Sequence, residues 1–291
     1  MKNGELRNFS ILHSQFLILT LILTMRLTFL GTGTSYGVPF VGCDCEVCRS
    51  TDPRNKRLRC SILVAGDRCD QSEENTERAL ILVDTSPDLR QQFLKAQVHY
   101  ISGILWTHDH NDHIIGLDDL RPLSDRQGYV HGWGNEQTIE RLKAVFDYAF
   151  IQERERGGFP RLTDHIARPF QSFEIGDVKI TPIPIWHGQR EIFAYRFDCN
   201  GRVLIYATDC SAIPDESWEP MTGADVLVLD ALHEKPHPTH FNIEQACAAT
   251  EKLKPGRAFF THTTHNVDYH RVNSNLPPGI ELAYDGLSLE V

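Results

Sequence analysis

The apolar run Ile101-Ser102-Gly103-Ile104-Leu105-Trp106 leads without a break into Thr107-His108-Asp109-His110-Asn111-Asp112-His113. The run reads as a buried strand. The stretch from Thr107 to His113 cannot be core, because three imidazoles and a carboxylate crowded into a few positions have no partners in an apolar interior. A divalent metal does accept that donor set. His108 and His110 are two apart and can converge on one ion where the turn curls, while Asp112 and His113 project toward a second. The fold must therefore set this turn at a rim and not in a layer.

The same join recurs along the chain. Leu27–Leu30 reads as a strand that breaks at Gly31-Thr32-Gly33-Thr34-Ser35, and Ser61–Ala65 with Ala79–Val83 as a hairpin across the polar segment 66–78. Asp84 ends the second arm. Pro87–Ala96 has helical spacing with Leu89, Phe93 and Leu94 on one face. Gly128–Trp133 is expected to be a strand, and Asn135–Phe150 a helix with Ile139, Leu142, Val145, Phe146 and Ala149 inward. Glu153–Asp164 reads as a charged, loop-like insert. Val178–Ile185 runs into Trp186-His187-Gly188. Ile192–Asp198 and Val203–Tyr206 form a second hairpin, turning at Asn200-Gly201 and ending at Thr208-Asp209. Asp225–Leu229 ends at Asp230, and Arg257–Phe260 at Thr261-His262. Between these two, Asn242 caps a helix that reaches Leu253 and stops at Pro255-Gly256. Strand followed at once by His or Asp places potential ligands along one edge of a sheet scaffold, where loops build sites.

A chain of 291 residues holds one large α/β domain or two small ones. Its net charge of −10, from 29 basic and 39 acidic residues, argues against a long nucleic acid as partner, since such binding needs clustered Lys and Arg. A small phosphate ester is compatible with that charge, as is a homodimer. Of the eight cysteines, Cys43, Cys45 and Cys48 lie within six residues. Bunched thiols in a chain this long favour a reducing, cytoplasmic setting over a disulfide framework. Residues 1–24 carry Lys2 and Arg7 before a short apolar stretch, but no small-x-small cleavage site follows and the stretch is brief for a membrane span. They are read as an amino-terminal extension or start-site artefact, with the domain at 25–291.

His108-x-His110-x-Asp112-His113, followed by the isolated His187, Asp209 and His262, resembles the metallo-β-lactamase superfamily, and Leu30-Gly31-Thr32-Gly33-Thr34-Ser35 strengthens the match. The resemblance implies an α/β (α+β) four-layer αββα sandwich, two mixed β-sheets flanked by helices, with two divalent ions, Zn or Mn, at one edge. His108, His110 and His187 would hold one ion, Asp112, His113 and His262 the other, and Asp209 would bridge them. Retention of Asp112 implies the hydrolytic branch, in which a metal-bridging hydroxide attacks.

Cys43-Asp44-Cys45-Glu46-Val47-Cys48, just after Gly37-Val38-Pro39, narrows the resemblance to the phosphoribosyl cyclic phosphate phosphodiesterases. Three thiolates make most of a tetrahedral zinc site. In that family a histidine three positions beyond the last catalytic one completes it, which here is His265. The resemblance also implies a general acid, matched by His240 in Thr239-His240-Phe241-Asn242, and places Asp230 and His233 behind the ligands. His131, His165, His237 and His270 receive no role. The chain exceeds the family pattern at its amino terminus, at 66–78 and around 150–165. A metal-dependent phosphodiesterase acting on a small, cyclic phosphate ester is the expected function. The alternatives are a ribonuclease Z-like RNA processor and a non-hydrolytic accessory protein resembling pyrroloquinoline quinone biosynthesis protein B.

Overall fold

A computed structural model describes residues 25–66, 79–151 and 158–291. The expectations for 1–24, for 67–78 with Cys69, and for 153–157 of the charged insert fall outside the described residues.

Strand periodicity sets the layering. Ile62, Val64, Ile81 and Val83 enter one apolar cluster, while the alternate residues Leu63, Ala65, Leu80 and Leu82 enter a second. Val226 and Val228 join the first cluster, and Leu227 and Leu229 a third. Strands buried on both faces are apolar throughout, which is why these runs show no polar alternation. Three apolar interfaces make four layers: helices, sheet, sheet, helices.

The first sheet contains β1 (Arg26–Gly31), β2 (Ser61–Ala65), β3 (Leu80–Val83), β4 (Gly103–Leu105), β5 (Val130–Gly134) and β6 (Leu162–Ile166) in that order. The second runs β7 (Phe173–Ile175), β8 (Val178–His187), β9 (Arg190–Cys199), β10 (Arg202–Ala207), β11 (Val226–Asp230), β12 (Arg257–Thr261) and β13 (Ile280–Leu282). β14 (Ser288–Glu290) returns to pair with β1. Each sheet is antiparallel in its first half and parallel from its third or fourth strand onward, β3 to β6 and β10 to β13. The parallel strands of both sheets send their carboxyl ends to a common rim.

Helices α1 (Glu46–Arg49) and α3 (Asn111–Ile114) belong to the rim loops. Leu89 and Phe93 of α2 (Leu89–Ala96), Leu123 of α4 (Arg121–Gln127) and Ile139 and Leu142 of α5 (Glu136–Val145) cover the outside of the first sheet. The second is covered by α6 (Asp215–Met221), α7 (Ile243–Leu253) and α8 (Tyr269–Asn273). A capping box starts α7: Asn242 Oδ1 accepts from Gln245 N at 2.8 Å, and Gln245 Oε1 accepts from Asn242 N at 3.0 Å.

Three local expectations change, and three short strands were not expected. Leu94 is not inward but 64% exposed, and Gln92 is buried instead, donating to Arg59 O. The helix from Asn135 stops at Val145, because Phe146 leaves helical backbone and 147–150 tighten into a 3₁₀ turn. Leu162–Asp164, read as loop, belongs to β6 and pairs with β5. The three-residue strands β7, β13 and β14 are too short to carry a period. Among the described residues no helix is long and apolar enough to cross a membrane, and the described cysteines are unbridged.

Candidate metal centre

Several of the residues that end the parallel strands turn through left-handed backbone. Asp84 after β3, Asp209 after β10 and His262 after β12 have φ of 64°, 56° and 58°. Such residues cost on the order of 1–3 kcal/mol each and persist where surrounding contacts fix them. Here the turn swings each side chain across the rim. The Gly31–Ser35 loop abuts the same place: Thr263 N donates to Thr32 O at 3.0 Å, and a Cβ on Gly31 would lie 2.0 Å from Arg59 O.

β4 delivers the histidine-dense turn. Tyr195 Oη donates to Trp106 O at 2.8 Å, and Thr107 donates through N and Oγ1 to Asp84. His113 N then donates to His110 O at 3.0 Å and closes the curl into α3. Donor atoms of His108, His110 and His187 come within 4.8 Å of one another, as do those of Asp112, His113 and His262, and those of His108, His113 and Asp209. Asp209 lies between the groups, with Oδ2 3.4 Å from His113 Nε2 and Oδ1 3.3 Å from His262 Nε2. All seven residues expected at the rim therefore converge.

The outward nitrogens of the rings are fixed from behind. His113 Nδ1–H donates to Asp84 Oδ2 at 2.7 Å, and His187 Nδ1–H donates to Thr239 O at 2.8 Å. His108 Nδ1 lies 3.0 Å from Thr107 Oγ1. Each bond leaves Nε2 pointing into the site, the arrangement by which proteins orient metal-ligating imidazoles. The Nε2 atoms of His108, His113 and His262 are buried without a hydrogen-bond partner. Buried polar atoms are rarely left so, and a cation is what this donor set would satisfy.

Charge leads to the same conclusion. Burial lowers His108 and His187 below the usual imidazole range and brings His262 to about 3, so these rings are neutral. Against burial, His262 and His113 hold Asp209 well below the usual carboxylate range, and His113 does the same for Asp112. Burial opposes a charge on His113 too, but Asp209, Asp112 and Asp84 outweigh it and hold the ring well above its ordinary value. A cluster of carboxylates thus draws in positive charge, which two dications would supply more fully than one imidazolium.

His240 and Asp230 form a separate pair behind His187 and His262. His240 Nδ1 lies 2.7 Å from Asp230 Oδ2, and His240 shares a 4.8 Å cluster with His187 and Asp209. Burial lifts Asp230 to about 7, and Asp230, overcoming burial, lifts His240 to about 9, so the shared proton rests on the imidazole. Asp230 Oδ1 is also 3.8 Å from His262 Nδ1. Among the described residues His233 has no contact with the ligands: its Nδ1 accepts from Lys235 N, and its ring lies 6.0 Å from that of His237.

Asp84 and Thr239, which orient His113 and His187, carry no local signal beyond their place near a strand end or a ligand. Asp84 could have been found only as another strand-terminal Asp.

The cysteine loop closes a second cluster. Cys43, Cys45 and Cys48 Sγ lie 3.2, 3.7 and 3.6 Å from His265 Nδ1. Zn–S near 2.3 Å and Zn–N near 2.0 Å would put S and N of a tetrahedral site about 3.5 Å apart, so these residues fit zinc. Backbone N–H groups of Phe40 and Cys48 donate to Cys48 and Cys45 sulfur, and the Phe40 ring stacks on His265 at 3.9 Å. The buried Arg57 donates to Thr264 O and Val267 O and so holds the loop that bears His265.

Residues 80–263 match the family profile of the Beta-lactamase superfamily domain. Among solved structures, a new diphosphatase from the PhnP family is 41% identical, with TM-score 0.81 over 92% of this chain and 98% of that one. A protein named coenzyme PQQ synthesis protein B from Rhodopseudomonas palustris (strain ATCC BAA-98 / CGA009) is 31% identical over 240 residues, 71% of this chain and 73% of its own. An octanoyltransferase of Porphyromonas gingivalis (strain ATCC BAA-308 / W83) is 34% identical over 266 residues, 90% of this chain, which spans only 51% of that protein.

Proposed function

The chain belongs to the metallo-β-lactamase superfamily and within it to the PhnP family of hydrolases, and from that premise we propose that it is a metal-dependent phosphodiesterase acting on a small phosphate ester. One observation carries this reading: five imidazoles and two carboxylates converge at the rim, the buried Nε2 atoms of His108, His113 and His262 lacking a hydrogen-bond partner, beside a histidine poised to give up a proton.

Two divalent ions held by that set would supply an activated water and a clamp for phosphoryl charge. His108, His110 and His187 would hold one, Asp112, His113 and His262 the other, and Asp209 both. The protein's own part is orientation and proton delivery. Asp84 and the Thr239 carbonyl lock His113 and His187 in the tautomer that faces inward. His240, with Nδ1 bound to Asp230, presents its remaining ring nitrogen to the rim and protonates the departing alkoxide. A leaving group that needs a proton is what a phosphodiester provides. The diphosphatase named among the similar structures breaks a related phosphate linkage, in line with this chemistry. The acyl transfer named for the Porphyromonas gingivalis protein is not carried over.

The test is an assay of Zn- and Mn-loaded protein against linear and cyclic phosphodiesters. Chelator-sensitive hydrolysis of a small diester is the expected result. Fully metallated protein that turns over none of them would overturn the reading.

A further inference from the structure

Helices α2 and α4 leave a groove between them of about 670 Å³, and none of the seven rim residues lines it. Phe93, Val98 and Leu123 supply its buried apolar lining and belong to the cluster under the first sheet's helices. Leu94 lines it too, 64% exposed. An apolar side chain thus stands in water at the edge of a concave apolar surface, where a ligand's alkyl chain would cover it.

The charged lining has the opposite sign to the chain. Net charge overall is −10, whereas here Arg90, Arg121 and Arg126 meet Asp118 and Asp119. Asp118 is already engaged, one oxygen by Arg121 and the other by Tyr148 Oη at 2.9 Å. Arg126 Nη2 donates to His99 O at 3.1 Å, which holds the side chain without cancelling its charge. Among the described residues the exposed Arg90 has no hydrogen bond or ion pair. Each helix therefore offers a guanidinium to the groove, and in the lining only Asp119 is left to offset them.

We propose that this groove binds a free aliphatic carboxylate, its alkyl chain along Phe93, Leu94, Val98 and Leu123 and its head on Arg90 and Arg126. The site is separate from the rim and does not rest on the phosphodiesterase reading. Ligand cavities of this size combine an apolar lining with a few charged groups that fix orientation. Guanidinium and carboxylate match in shape and charge. A cationic amphiphile would be repelled, and an uncharged one would leave the two guanidinia uncompensated. A small anion without a tail would leave Leu94 in water.

Calorimetric titration of metal-loaded protein tests this, with decanoate, decanol, decylamine and hexanoate as probes, all below their micelle-forming concentrations. Decanoate is expected to bind about 10- to 100-fold more tightly than decanol or decylamine, the range for charge-assisted hydrogen bonds. Its longer chain, with the added methylenes half buried, should favour it over hexanoate by about 15-fold. Arg90→Gln should bring the decanoate-to-decanol ratio toward one, and Leu94→Gln should shrink the decanoate-to-hexanoate ratio. Both side chains are exposed, so the melting temperature should stay at its wild-type value in each variant. No binding, or equal binding of all four probes, would overturn the site. So would a decanoate preference that survives both substitutions, which would put the carboxylate on the rim metals instead. Sedimentation covers the other occupant: a wild-type dimer that Leu94→Gln splits, with no decanoate bound, would make the groove an interface between copies and overturn the proposal.

Discussion

His240 Nδ1 and Asp230 Oδ2 are 2.7 Å apart at a site where the imidazole is nearly buried and the carboxylate wholly so. Asp230 raises His240 to about 9 despite burial, and the ring holds its proton below that pH. A general acid must be protonated to act, so turnover should hold up to about pH 9 and fall above it. Asp230→Asn removes the charge that raises His240. The falling limb of the pH–rate profile should then move acidward, toward the ordinary histidine value of about 6.5. An unmoved limb would separate the pair from the proton transfer.

His240→Ala removes the donor and leaves the seven rim residues in place. Turnover should drop by about 10²- to 10⁴-fold, the usual contribution of general acid–base catalysis. The rim metals, counted by elemental analysis, should stay bound. An ester with a leaving group as acidic as p-nitrophenol should suffer less than an alkyl ester, since it needs the proton less.

Asp84 accepts from His113 Nδ1 at 2.7 Å and from Thr107 N at 2.8 Å, entirely out of solvent. Asp84→Asn weakens the bond that keeps His113 Nε2 facing the site. Affinity for the weaker-bound rim metal should fall by about 10- to 100-fold, measured by competition with a chelator. Retention of wild-type affinity would mean that packing alone orients the ring.

Legibility in the sequence tracks what is local. The rim residues could be read because each sits in a contiguous motif or directly after an apolar strand, and the layered fold because both buried sheets write apolar runs. Asp84 was legible only as a strand end, since its partners lie 23 and 29 residues away and the φ of 64° that aims it has no composition signal. The bond from Asp109 to Arg190 spans 81 residues and was invisible for the same reason. Leu94 keeps the spacing of an inward residue, yet no described residue covers it, and helical period cannot report a missing neighbour. His233 matched by position, but its ring turns back to the Lys235 backbone N–H, a local contact that its place in a motif cannot report.

Burial lifts the Cys48 thiol to about 11, while the backbone N–H of Cys48 lowers Cys45. Zinc must therefore displace a proton from Cys48 at neutral pH, and its binding should weaken as pH falls. His265→Ala should lower the melting temperature by on the order of 10 °C, since a structural metal contributes several kcal/mol to folding. A melting temperature within a degree of wild type would mean that Arg57 and the Phe40 stack hold the loop without the ion.

Elemental analysis of metal per chain tests the rim directly. Protein saturated with Zn or Mn and freed of excess should hold about three equivalents, and the Cys43→Ser, Cys45→Ser, Cys48→Ser triple variant about two. If wild type saturates at about one equivalent and the triple variant at none, the convergence of His108, His110, Asp112, His113, His187, Asp209 and His262 does not make a dinuclear centre.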